Sequence, residues 1–175
     1  MESHAKLFGH PIHPMLIVLP MGLLAAAVVF DILYLFVDDD TFLAVSFWNI
    51  AAGIVGGLLA AIFGLWDWLH IPSDTRAKRI GLMHGGGNVV VLALFAGSWL
   101  LRLNEPGYET SGLALGLAVA GMLLALVTGW LGGELVDRLG VGVDDGANLD
   151  APNSLSGRPA SDSAGVGGRA PATRR

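Results

Sequence analysis

Six residues of this chain stand out as candidates to hold a metal ion or a haem iron: His10, His13, Asp67, His70, His84 and Glu134. Imidazole and carboxylate together suit Fe, Mn, Zn or Cu, and an outer carboxylate commonly orients a ligating imidazole. All six are therefore candidate ligands for a transition metal. His10, His13, His70 and His84 are in addition candidate axial ligands for haem b, which paired histidines from different helices can grip. The spacings support shared faces: Asp67 and His70 are three apart, His84 and Asn88 four apart. The plain alternative is a polar lid in which the same side chains only terminate helices and bond one another. With no cysteine in the chain, disulfides, thiolate-held iron–sulfur clusters and covalently attached c-type haem are excluded.

The elements that must position these residues follow from composition. The chain has 175 residues, of which 53% are hydrophobic and only 14% charged, with a mean hydropathy of +0.61. That is too little charge to cover a soluble domain of this size. Four long apolar segments fill most of residues 15–131. The first runs from about Met15 to Val37, the second from Phe42 to Trp68, the third from Ile80 to Leu101, and the fourth from Ser111 to Leu131. Each is long enough to cross a hydrocarbon core of ~30 Å at ~1.5 Å per residue. Short connections make sequential helices antiparallel neighbours. The expected fold is all-α, a four-helix transmembrane bundle running up-down-up-down over residues 1–140. Residues 141–175 turn to Gly, Ala, Ser, Pro, Asp and Arg and are expected to form a disordered cytoplasmic tail.

Charge gives the orientation. Lys6, Arg76, Lys78, Arg79 and Arg138 lie on one side, whereas Arg102 shares the other with Asp38, Asp39, Asp40, Glu105 and Glu109. Lys and Arg favour the cytoplasmic face, so both termini are expected there, in a bacterial inner or plasma membrane. All six candidate ligands then fall at the cytoplasmic ends of their helices. The partners implied are the lipid bilayer and a redox or membrane-complex partner. Nucleic acid is excluded, because no basic stripe interleaves with aromatic residues.

Other features read more simply. His10 and His13 each precede proline, which disfavours helical backbone for both. Ser73 or Asp74 is the expected N-cap of the third helix. Gly53, Gly57, Ala60 and Gly64 form a small-residue track for close helix packing. The triple glycine 85–87 is not a phosphate loop, since no strand precedes it and no Lys-Ser/Thr follows. Asp31 lies inside the first span and is expected to pair with Arg102 or Asn49, with a proton relay as the rival reading.

Four stretches carry a family resemblance: HPIHPMLIVLPMGLL, GLWDWLHIP, the histidine opening the third helix, and GWLGGELVDRLGVGVD. Together, over residues 8–145, they resemble an uncharacterised bacterial membrane family, domain of unknown function 2231. The resemblance implies four spans. Some relatives are joined to Rieske-type iron–sulfur domains, which implies electron transfer by analogy; this chain carries no such segment. The family supplies no activity or catalytic residue, so whether the protein is an enzyme stays open. Three function classes follow: a membrane protein binding a transition metal or haem for redox work, a non-enzymatic structural protein or complex subunit, and a small proton-coupled transporter.

Overall fold

A computed structural model of the chain describes residues 1–163. Helix α1 (Ile12–Leu16) runs into α2 (Val18–Val37) with only Ile17 between them, and the two form one span. Helix α3 (Thr41–His70), α4 (Arg76–Arg102) and α5 (Gly112–Gly133) follow. All four spans are long and apolar enough to cross a membrane. Before them, β1 (Lys6–Leu7) and β2 (His10–Pro11) make a two-residue antiparallel ladder.

Local chemistry sets the ends. Asp38 closes α2 in left-handed backbone, φ 54°, which a short acidic side chain tolerates. Asp39 Oδ1 then accepts from the Thr41 N–H at the start of α3. The N-cap of α4 is Thr75, whose hydroxyl accepts from the Lys78 N–H, and not the expected Ser73 or Asp74. Thr75 is favoured because its hydroxyl also donates to the Pro72 carbonyl, locking the loop. The α4 helix therefore begins four residues before the apolar run. Ser111 caps α5 as its position suggests. After α5 the backbone widens into a π-helical turn, Glu134–Arg138.

The spans associate as two tight hairpins, α2 with α3 and α4 with α5. The core lies between them: Leu24, Ala27 and Val28 from α2, Ile50 from α3, Val91 and Phe95 from α4, and Ala118 from α5. Glycines let the backbones close on these side chains. A Cβ on Gly53 would meet Leu24 Cδ2 at 2.6 Å, and one on Gly121 would meet Phe95 Cδ2 at 2.9 Å. The outer faces carry exposed Leu, Val, Ile, Phe and Trp, as helices facing lipid must.

Residues 141–163 form turns and one short 3-10 turn, Ser154–Ser156, lying against the N-terminal segment. The part of the expected disordered tail from 164 to 175 lies outside the described residues.

Candidate functional site

The bundle brings together two of the six candidate ligands. His13, near the start of the first span, and His84, in the third turn of α4, stand with ring centres 6.2 Å apart and planes at 88°. His13 is helical despite the proline after it, because Pro14 still falls within the first turn of α1. Each ring is fixed in the same way. His13 Nδ1 donates to the Ala60 carbonyl at 2.8 Å. His84 Nδ1 donates to the Thr128 carbonyl, also at 2.8 Å. A carbonyl oxygen can only accept, so each Nδ1 carries a proton, and in a neutral ring the lone pair is then on Nε2. This is the tautomer and restraint that histidines ligating a metal through Nε2 commonly show.

The carbonyls point at the histidines because glycine stands one turn further on. A Cβ on Gly64 would lie 2.8 Å from His13 Cε1, and one on Gly132 would lie 3.1 Å from His84 Cε1. Ala60 with Gly64, and Thr128 with Gly132, thus form two equivalent cradles at i, i+4 spacing. Gly85, Gly86 and Gly129 have nothing within 4 Å of where a Cβ would stand, and Gly85 and Gly86 are exposed on the outer surface of α4. Asn88 completes the site. Its amide donates to the His84 carbonyl at 2.9 Å and lies 3.3 Å from His84 Nε2, while Thr128 Oγ1 donates to its oxygen at 2.9 Å.

The other four candidates lie elsewhere, so the expected single constellation splits apart. Asp67 accepts from the Ser3 hydroxyl through both oxygens, at 2.9 and 2.8 Å, and from the His4 N–H at 2.9 Å. His70 Nδ1 donates to its own helix at the Trp66 carbonyl, and its ring stacks on His4 with centres 4.2 Å apart. Two stacked imidazoles cannot turn both lone pairs onto one ion. Glu134 pairs with Arg76 at 2.6 Å. His10 is exposed on β2 and meets Ser154 across 3.3 Å. Among the described residues, no group of three or more His, Cys, Asp or Glu side chains is placed to hold a metal ion. The physical reason is that depth in the membrane does not fix the direction a helix faces: these residues share a level but face different neighbours.

With the histidine pair, the GLWDWLHIP turn and the Glu134 corner in place, the comparison with known families is decisive. The model of the predicted membrane proteins of DUF2231 matches residues 9–145. The chain belongs to the DUF2231 family. Comparisons with curated proteins and with solved structures gave no match. The matched stretch of this DUF2231 protein begins between the two β strands and ends at Asp145, whose N–H donates to Glu2.

Sequence reasoning did not find the carbonyls of Ala60 and Thr128, nor Gly132. The signal was present: Gly64 was visible only as a packing residue, yet it and Gly132 each follow their carbonyl by four residues. The N-terminal clasp was also missed. Besides Ser3 and His4 on Asp67, the terminal ammonium donates to the Gly140 carbonyl at 3.0 Å, and the Gly142 N–H donates to the Met1 carbonyl at 2.9 Å. Lys6 bonds both Glu2 and Asp144. The Asp144 carboxylate, and then Glu2, hold the Lys6 ammonium above its ordinary pKa, and Lys6 holds the Glu2 carboxyl below the usual carboxylate range.

Proposed function

We propose that this DUF2231 protein binds haem b between His13 and His84 at the cytoplasmic end of its bundle. The observation that carries the reading is the pair of imidazoles, each restrained through Nδ1 by a backbone carbonyl, with ring centres 6.2 Å apart. Two imidazoles on opposite sides of one metal, with bonds of ~2 Å, have centres separated by roughly 6 Å. Haem iron asks the protein for two axial ligands only, whereas a bare transition-metal site asks for three or four. Since only two ligands converge, haem is favoured over an isolated Zn, Mn or Cu ion. Intramembrane ionisable groups are costly and tend to mark function. The excess of Lys and Arg at this end supports a cytoplasmic location in a bacterial inner membrane.

One observation favours the structural alternative. The Asn88 amide 3.3 Å from His84 Nε2 could use that lone pair in a network that only ties α4 to α5. The contact is long, and Asn88 keeps its shorter bond to the His84 carbonyl if a ligand replaces it.

The test is the absorbance and metal content of protein purified in detergent from cells supplied with haem precursor. A Soret band lost in both His13→Ala and His84→Ala supports the reading. A colourless protein with stoichiometric Cu or Zn replaces haem with a bare ion. A wild-type protein carrying neither sinks the ligand reading and leaves the structural one.

A further inference from the structure

The two hairpins repeat one another. His13 opens the first and His84 the second, 71 residues later. Asp31 and Arg102 follow their histidines by the same 18 residues and are likewise 71 apart. Leu24 and Phe95, both core residues, keep this offset. The second helices repeat with an offset of 68: Ile50 with Ala118, Gly53 with Gly121, Ala60 with Thr128, Gly64 with Gly132. The contacts repeat with the residues. Leu24 packs on Gly53 as Phe95 packs on Gly121, and His13 sits on Ala60 and Gly64 as His84 sits on Thr128 and Gly132.

Both hairpins run in the same direction, since the histidines meet at one end and Asp31 meets Arg102 at the other. Parallel repeats of this kind are related by an axis along the membrane normal. A residue that touches its own equivalent must lie beside that axis. His13 touches His84, and Asp31 touches Arg102, about 27 Å further along at ~1.5 Å per residue.

We infer that the membrane domain is a duplicated helical hairpin whose ligand lies on the pseudo-twofold axis, with equivalent imidazoles closing both axial positions of its iron. This rests on the haem reading above and goes beyond it. An iron saturated by the protein has no open position for a small exogenous ligand. The group would supply one-electron transfer with no bond made or broken, the electron arriving from an external one-electron donor and leaving to an external one-electron acceptor. The near-perpendicular ring planes are what rotation about such an axis permits when each ring is tilted onto its own carbonyl.

The experiment uses the full-length haem-loaded protein in detergent, reduced with dithionite and exposed to carbon monoxide. The expected result is an unchanged low-spin spectrum in the wild type. His13→Ala and His84→Ala, each supplied with haem and imidazole, should recover that spectrum, and without imidazole any haem they retain should bind carbon monoxide. Prompt carbon monoxide binding by haem-loaded wild type would overturn the inference while leaving haem binding intact. So would a spectrum sensitive to only one of the two histidines. Wild type with no haem would overturn the haem reading, and this inference with it.

Discussion

Asp31 and Arg102 meet end-on in the bundle interior, with Nη1 on Oδ1 and Nη2 on Oδ2, both at 2.7 Å. Neither residue is more than 2% exposed. Ser46 Oγ accepts from Nη1 at 3.1 Å and Ser98 Oγ from Nη2 at 2.9 Å. This two-bonded fork ties the two halves together, with Arg102 Nε left without a partner, and Asn49 takes no part in it.

The first prediction concerns that lock. Removing one partner strands a buried charge, which costs about 3–5 kcal/mol. Asp31→Asn or Arg102→Met should each lower the detergent melting temperature sharply and reduce the level in the membrane. The double variant Asp31→Leu/Arg102→Met should recover most of the loss, because it removes both charges and fills similar volume. A folded Asp31→Asn protein with wild-type stability would contradict the ion-pair account. A typical hydrogen bond within a membrane bundle contributes about 0.6 kcal/mol. Complete burial raises it.

Why some features were legible and others not is itself physical. The spans were readable because a lipid-facing helix must be apolar along its whole length, and Asp31 and Arg102 stood out because charge at that depth demands a partner. The candidate ligands were readable in depth but not in direction. His70 and Asp67 share a level with His84, yet α3 turns them toward the N-terminal segment. The repeat was hidden because its two helices carry different offsets, 71 and 68, and because Leu replaces Phe and Ala replaces Thr without breaking hydropathy.

A second prediction tests the two glycine cradles. Gly64→Ala would put a Cβ 2.8 Å from His13 Cε1, and Gly132→Ala one 3.1 Å from His84 Cε1, so each ring must leave its carbonyl or its helix must shift. Both variants should lose ligand, Gly64→Ala more severely. Gly116→Ala, with nothing within 4 Å, should keep its ligand and gain up to about 1 kcal/mol from better helix propensity. Equal ligand retention in all three, measured by absorbance per protein, would remove the cradles from the site.

The N-terminal clasp should depend on pH at both extremes. The Glu2 carboxyl, lowered by Lys6, contributes stability above the unfolded pKa of about 4.3 that is lost as pH falls through its folded value. The Lys6 ammonium, raised by Asp144 and Glu2, contributes stability below about pH 10.4 that is lost as pH rises through its folded value. Amide exchange of residues 2–6 should therefore be slowest, relative to an unstructured peptide, between those limits. Exchange protection that is flat from pH 3 to neutrality would count against the clasp.

The last prediction separates the clasp and the Glu134 corner from the histidine pair. If Asp67 or Glu134 oriented a ligating imidazole, replacing it would weaken binding about 10–100-fold. Here neither touches His13 or His84. Glu134 holds the exposed Arg76, a pair worth only about 0–1 kcal/mol. Asp67 holds Ser3 and the His4 N–H with bonds to a charged acceptor, each contributing about 1.5–3 kcal/mol. Glu134→Gln should therefore leave ligand content, melting temperature and spectrum at wild-type values. Asp67→Asn should release residues 1–5 to protease and lower stability moderately, with its ligand retained in full. His84→Ala should do the reverse, losing the ligand while the N-terminal segment stays protected. A tenfold loss of ligand in Asp67→Asn with the helices intact would return Asp67 to the site and show that the N-terminal segment and the histidine pair act as one unit.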